Sequence, residues 1–276
     1  MSKSILITGC SSGIGHTAAH FLKEKGFRVI ASARQSTDVI ALKQQGLDAV
    51  QLDLNDEASI EAAVEQTLQL SDGRLYGLFN NGAYGQPGAL EDLPTAALRE
   101  QFNTNLFGTH HLTRLVLPTM LAAGEGRIIQ NSSVLGLVAM QYRGAYNASK
   151  FALEGYTDTL RLELTGSGVH ISLLEPGPIE TRFRANAKAA FLRHIAVDQS
   201  RHRQGYRQTL ARLQQPGPSS RFSLEPDACM APLLHALTSS RPKIRYPVTR
   251  PTVMMGWLRR VLSARALDKL LLKAGG

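Results

Sequence analysis

Tyr146 and Lys150 stand four residues apart in the run Tyr146-Asn147-Ala148-Ser149-Lys150. On a helix that spacing puts both side chains on one face. A free tyrosine, with a pKa of about 10, is a poor base at neutral pH. A neighbouring ammonium favours the phenolate and lowers that value. Such a pair can give a proton to a carbonyl oxygen or take one from an alcohol. Ser132 and Ser133 close an apolar run upstream, and either hydroxyl can hold a substrate oxygen beside the phenol. Tyr142 has no such partner, because its i+4 residue is Tyr146.

A second constellation lies near the N-terminus. Thr8-Gly9-Cys10-Ser11-Ser12-Gly13-Ile14-Gly15 follows the first apolar run and opens the first helical pattern. Glycine at 9, 13 and 15 removes Cβ atoms where the backbone must turn and approach a pyrophosphate. The helix N-terminus adds free N–H groups and the positive end of a dipole. At the first strand-to-helix turn, this pattern reads as a dinucleotide-binding fingerprint. The second apolar run ends Ala31-Ser32-Ala33-Arg34-Gln35. An acid there would grip the ribose 2′-OH of NAD. None is present, and Arg34 can pair with a 2′-phosphate, which favours NADP(H) over NAD(H). His110 and His111 are adjacent, point in different directions on a helix, and read as packing and surface residues; no metal site is expected.

The elements that must position these groups alternate along the chain. Apolar runs at 4–8, 27–33, 48–53, 75–80, 126–132 and 169–175 are separated by segments of helical periodicity, such as Ile60, Val64 and Leu68. A last run follows at 243–248. This rhythm predicts a Rossmann-type doubly wound parallel sheet of about seven strands, helices on both faces and ligands at the carboxyl ends. The chain has 276 residues and is 43% apolar, which suits a single domain over 1–276. No apolar run is long enough to span a bilayer. The start lacks a signal-peptide layout, and Cys10 and Cys229 suggest no disulfide framework. The expectation is a cytoplasmic protein.

The net charge of +9 is unevenly placed. Residues 1–181 carry 13 Lys/Arg against 18 Asp/Glu, whereas 182–221 and 241–276 each carry nine against one. No nucleic-acid motif or aromatic platform accompanies the charge, so nucleic-acid binding is not expected. Residues 182–221 end in the breaker cluster Gln215-Pro216-Gly217-Pro218-Ser219 and read as a helical lid over the strand ends. Phe183, Phe191, Leu192, Ile195 and Leu210 are its candidate pocket residues. Residues 252–273 read as one amphipathic helix, with Val253, Trp257, Val261, Leu262 and Leu270 on its apolar side. Three readings of the basic segments stand open: a solvated face, peripheral contact with an anionic membrane, and steering of an anionic substrate.

Taken together, TGCSSGIG (8–15), LDL (52–54), NNGA (80–83), NLFG (105–108), SSVLG (132–136), YNASK (146–150) and PGPIET (176–181) resemble the single-domain short-chain dehydrogenase/reductase family. The style is similar to its hydroxysteroid and retinol dehydrogenase branch and to bacterial NADP-dependent aldehyde reductases. The resemblance implies that Tyr146 is the general acid/base and that Lys150 also binds the nicotinamide ribose. It assigns substrate orientation to Ser133, and to the Asn105 main chain a water on a proton path. It implies cofactor contacts from the 9–15 turn, from Asp53 and Leu54 beside the adenine, and from Asn80 beneath it. Pro176, Gly177, Ile179 and Thr181 should hold the nicotinamide end. The family usually reads Asn-Asn-Ala-Gly where Gly82 and Ala83 are exchanged here. The expected activity is hydride transfer to or from a hydrophobic aldehyde, ketone or secondary alcohol. Alternatives are a steroid- or retinoid-type dehydrogenase working in oxidation, and a non-catalytic NADPH sensor. Helices near 95–123 and 144–165 are expected to pair copies into a homodimer or homotetramer.

Overall fold

The computed structural model describes residues 2–214, 217–218 and 220–274. Strands β1 (Ser4–Ile7), β2 (Arg28–Ala33), β3 (Asp48–Gln51), β4 (Leu75–Asn80), β5 (Gly126–Asn131), β6 (Val169–Glu175) and β7 (Arg245–Pro247) form one sheet. Their order is β3-β2-β1-β4-β5-β6-β7, and every pairing is parallel. The first helices are α1 (Gly13–Glu24), α2 (Ser36–Gln44), α3 (Glu57–Leu70), α4 (Thr95–Phe102), α5 (Gly108–Ala123) and α6 (Gly144–Glu163). They are followed by α7 (Phe183–His194), α8 (Arg203–Gln214), α9 (Met230–Thr238), α10 (Arg250–Val261) and α11 (Ala264–Ala274).

The strands read as short, apolar-rich runs because both faces of a parallel sheet are covered. Alternate residues serve the two sides. Ile5 and Ile7 pack with Leu22 of α1, Leu42 of α2 and Leu233 of α9. Leu6 points the other way, to Ile60 of α3 and to Leu112 and Val116 of α5. The chain builds outward from β1 to β3, then returns to β4 on the other flank of β1. The loops after β1 and β4 therefore diverge, and the crevice they leave is where such a fold binds ligands.

Two expected helices differ in the structure. The stretch 95–123 is not continuous. A π-helical turn, Asn103–Phe107, separates α4 from α5, a device that often marks a functional position. The tail is two helices broken at Leu262–Ser263. Its buried side also differs from the expected one. Thr252 and Met255 face inward on α10, while Val253, Trp257 and Val261 are exposed. Leu270 and Leu271 of α11 do pack, against a cluster containing Val134, Leu135 and Val138. Counting apolar residues did not identify the covered side, because a β-hydroxyl pair, Thr249 and Thr252, packs against the Cβ-less face of Gly177. Of the expected breaker cluster, Gln215, Pro216 and Ser219 lie outside the described residues.

Candidate active site

The first turn is built for close approach. Gly9 and Gly13 have φ of +71° and +60°, which favours glycine. A Cβ at Gly15 would lie 2.3 Å from the Gly9 carbonyl oxygen. Ser12 occupies the N-cap of α1 but makes no side-chain cap hydrogen bond. The first N–H groups of α1 thus stay available for an anion. Ser11 is exposed, and Ile14 leans on the core. Cys10 is buried, its thiol donates to the Ile7 carbonyl at 3.2 Å, and burial pushes it up to about 12. It is not a thiolate.

Arg34 stands exposed just after β2, with its carbonyl accepting from Gln51 Nε2 at 3.0 Å. Asp53 and Leu54 follow β3; the Asp53 carboxylate accepts from the Asn55 N–H at 2.9 Å, and Leu54 joins the core. Asn80 donates to Thr113 Oγ1 at 3.0 Å and its buried Oδ1 has no partner. Sequence reasoning passed over the residue next to it. Asn81 Nδ2 donates to the carbonyls of Thr8 and Gly9 at 2.9 and 3.2 Å, while its own N–H and that of Gly82 donate to Thr8 Oγ1. Asn131 Nδ2 then donates to Asn81 Oδ1 at 2.9 Å. Asn81 and Asn131 brace the glycine turn from β4 and β5. The exchanged Gly82 sits in a tight place: a Cβ there would lie 3.0 Å from Leu54 Cδ1 and 3.2 Å from Thr8 Oγ1.

The second group converges at the ends of β5 and α6. Lys150 Nζ donates to the Asn131 carbonyl at 2.6 Å and lies 5.7 Å from the Tyr146 ring centroid. Burial pushes the Tyr146 phenol up to about 12, against the opposing influence of Ser133 and the Arg143 charge. The Lys150 ammonium is held by the Asn131 carbonyl, and the charge that opposes burial at the phenol is that of Arg143. Burial also lowers Lys150 to about 8, against the opposing charge of Glu154. Of the two serines, Ser133 serves the tyrosine and accepts from the Leu135 N–H at 3.1 Å. Ser132 turns away and donates to Glu154. Asn105, in the π turn, clamps Tyr84: its Oδ1 accepts from the Tyr84 N–H at 3.2 Å and its Nδ2 donates to the Tyr84 carbonyl at 3.0 Å. Pro176 accepts from the Val134 N–H at 2.8 Å, Ile179 bridges Leu224, and Thr181 accepts from the Phe183 N–H at 3.2 Å. A Cβ at Gly13 would lie 2.8 Å from Thr181 Cγ2, so the PGPIET segment closes onto the glycine turn.

The walls are apolar and come from late in the chain. Phe183 of α7 meets the Tyr146 ring edge-on at 5.3 Å. On the other side, Tyr146 packs on the Val134–Val138 cluster that Leu267, Leu270 and Leu271 of α11 complete. Four expected pocket residues do something else. Phe191 and Ile195 form a separate core with Tyr206 and Ala89, Leu210 packs against that core, and Leu192 is exposed. Two of the lid's charges are paired with acids: Arg193 meets Glu100 at 2.7 Å and Arg201 meets Glu91 at 2.6 Å.

Behind Lys150, Glu154 shares Arg245 of β7 with Glu175 and Asp158. Burial, then the charge of Glu175, raises Glu154 to about 7. Between the unfolded value, about 4.5, and about 7, the folded chain keeps a proton that the unfolded chain has released, so this group's contribution to stability falls as pH rises through that window. Glu154→Gln removes the titration while keeping the volume. Its Tm relative to the parent is expected to rise between about pH 5 and about pH 8. Thermal melts across that range check it, and a flat or falling difference contradicts the assignment.

A family model described as short chain dehydrogenase matches residues 3–190. The chain is 44% identical over 271 residues to the uncharacterized oxidoreductase YbbO of Escherichia coli K12, covering 98% of this chain and 94% of that protein. It is 35% identical over 213 residues to a 3-ketodihydrosphingosine reductase of Bacteroides thetaiotaomicron, covering 73% and 77%. An actinorhodin polyketide ketoreductase structure with NADPH superposes with a TM-score of 0.73 at 25% identity, covering 90% of this chain and 95% of that one. The glycine turn, the seven-stranded sheet and the matched span together make this chain a member of the short-chain dehydrogenase family of oxidoreductases.

Proposed function

We propose that the protein is an NADP(H)-dependent carbonyl reductase acting on a hydrophobic aldehyde or ketone, with residues 182–221 as its substrate lid. The observation that carries this is the Tyr146 phenol, protonated at neutral pH, with Lys150 Nζ 5.7 Å from its ring centroid and walled by Phe183 and the α11 leucines. A protonated phenol in an apolar pocket is an acid ready for a carbonyl oxygen. Ser133 donates to the same oxygen and fixes its position. Lys150, charged below about 8, stabilises the phenolate left behind and connects to solvent past Asn105. The residues fit a nicotinamide dinucleotide: the turn from Gly9 to Gly15 and the uncapped α1 would take its pyrophosphate. Arg34 would take the 2′-phosphate, Asp53, Leu54 and Asn80 the adenine side, and Pro176, Gly177, Ile179, Thr181 and Lys150 the nicotinamide end. Bound there, that cofactor supplies the hydride.

The test is a screen of NADPH oxidation over aldehydes, ketones, steroids and retinoids of graded size. Turnover of apolar carbonyls is the expected result. The relative named as a 3-ketodihydrosphingosine reductase supports the reductive direction. Activity only with NADP and secondary alcohols would assign the steroid- or retinoid-type oxidation instead. Tight NADPH binding without turnover of any compound would assign a sensor.

Two association surfaces accompany this reading. A homodimer or homotetramer contact belongs on the outer sides of α5 and α6, where Leu121, Phe151 and Leu162 are exposed; sedimentation analysis reads it. The outward stripe of α10 is assigned to an anionic bilayer. It presents Val253, Met254, Trp257 and Val261. Arg250, Arg259, Arg260, Arg265, Lys269 and Lys273 accompany it against Asp268, and none forms an ion pair among the described residues. Four side chains on one helix are far short of the roughly 800 Å² per partner that a stable dimer buries. Trp257 is the chain's one tryptophan. Its emission should shift to the blue with phosphatidylglycerol vesicles at low salt and return at high salt. No shift removes the assignment, and a shift that follows protein concentration without vesicles gives the stripe to a second copy.

A further inference from the structure

The end of β5 and the residues after it serve the site in different ways. The Asn131 carbonyl accepts from Lys150 Nζ at 2.6 Å. Ser133 holds the turn that follows, through the Leu135 N–H. Ser132 lies between them, buried, with its own N–H donating to the Leu174 carbonyl of β6 at 2.8 Å. Ser133 is extended, and neighbouring side chains of extended backbone leave on opposite sides. The Ser132 hydroxyl turns away from the substrate side and donates to Glu154 Oε1.

Glu154 stands four residues after Lys150 and eight after Tyr146 on α6, so the three share one face. That face is tied twice to the end of β5. Lys150 donates to Asn131, and one turn further on Glu154 accepts from Ser132. A single tie leaves a helix free to roll and tilt about it, whereas two ties a turn apart fix both. Glu154 is also held from its far side, because its Oε2 accepts from Arg245, which meets Glu175 at 2.8 Å. The turn Val134–Gly136 closes over the bond: a Cβ at Gly136 would lie 2.8 Å from Ser132 Oγ and 3.1 Å from Glu154 Oε1.

Packing leaves this side of the helix open. A cavity of about 670 Å³ lies between α6 and α10, lined by Gly136, Phe151, Glu154, Arg245, Gly256 and Trp257. An apolar side chain at 154 would avoid the cost of burying a carboxylate. The position instead carries an acid whose charge acts on Lys150 in the direction that keeps the ammonium charged.

We propose that Glu154 and Ser132 are positioning residues of the reaction. They form a second tie that holds the Tyr146–Lys150 face of α6 in register with Ser133, so that phenol and hydroxyl meet one carbonyl oxygen. This rests on Tyr146 being the proton donor of a carbonyl reduction. Both residues act through Tyr146 and Lys150 and not on the substrate.

The experiment measures kcat and KM with NADPH and the best apolar carbonyl, per NADPH-binding site counted by fluorescence titration. Ser132→Ala and Glu154→Leu are expected to lower kcat by about tenfold to a hundredfold, the loss given by misplacement on the order of an ångström. KM for NADPH stays within about threefold, because the glycine turn and Arg34 grip the cofactor elsewhere. Glu154→Gln, whose amide oxygen still accepts from Ser132, keeps a kcat at least about threefold above that of Glu154→Leu. The Ser132→Ala/Glu154→Leu double variant loses no more than the worse single one, since the two residues make one bond. The deciding readout is the Tyr146→Phe background. There Ser132→Ala causes no further loss of residual turnover, because a tie that acts through the phenol has nothing left to position. A general weakening of the fold would multiply the two losses instead. Should Glu154→Leu fold poorly, Ser132→Ala, which removes one hydroxyl and leaves Arg245 with its three acids, carries the test. Parent-like kcat in Ser132→Ala, or losses that multiply with Tyr146→Phe, overturn the proposal. Failure of the parent to oxidise NADPH with any carbonyl overturns the reductase reading, and this proposal with it.

Discussion

Tyr146→Phe should lower kcat by at least about a hundredfold, the lower range for loss of a positioned general acid. The substitution is unusually clean in this setting. The ring makes its edge contact with Phe183 and its packing on the Val134–Val138 cluster through carbon atoms, and phenylalanine keeps both. Only the hydroxyl is lost. The Tm and the affinity for NADPH should therefore stay near those of the parent, measured by thermal melt and by fluorescence titration. Ser133→Ala would be harder to interpret, because that hydroxyl also accepts from the Leu135 N–H and holds the turn after β5. Turnover of Tyr146→Phe at the parent rate would end the proposed mechanism.

Arg34→Ala should raise KM for NADPH by about tenfold to a hundredfold, the range given by one or two hydrogen bonds to a charged group. KM for NADH should change by less than about threefold, since the 2′-hydroxyl offers no charge. Arg34 is exposed and its side chain meets no acid among the described residues, so the variant should fold as the parent does. Its backbone position is fixed independently by Gln51. Steady-state kinetics with both cofactors decide the matter. A parent protein that prefers NADH would defeat the assignment before any variant is made.

The sheet was legible in the chain because strands covered on both faces are rich in apolar residues on both sides, as the cores of 4–8, 75–80 and 169–175 are. Tyr146, Lys150 and the glycine turn were legible because spacing alone puts them on one helix face and one tight turn. What escaped was whatever depends on neighbours distant in sequence. Asn81 and Asn131 brace the turn only because β1, β4 and β5 lie side by side, an adjacency that local pattern does not encode. Their signal, in hindsight, is an asparagine just past the end of β4 and another at the end of β5. The lid arginines looked like free charge because Glu91 and Glu100 lie about a hundred residues earlier. The tail was assigned the wrong side because hydrophobicity says that a face is apolar, and only packing says whether anything covers it. The burial of the tyrosine was not legible for a similar reason: it is a property of the assembled walls, and those walls come from residues 183 and 267–271.

Arg245 has a consequence for how the chain is made. It lies on the last strand and is the shared cation of Glu154, Asp158 and Glu175. A ribosome releases the sequence from the amino end, so β1 to β6 and α6 emerge well before β7. During that interval Glu154 and Glu175 face each other across a closing interior with no cation between them. Like charges left facing each other there disfavour docking of the helix that carries Tyr146 and Lys150. Residue 245 brings the cation that all three carboxylates share. A chain cut short before that point lacks the clasp that ties this helix to β6 and β7.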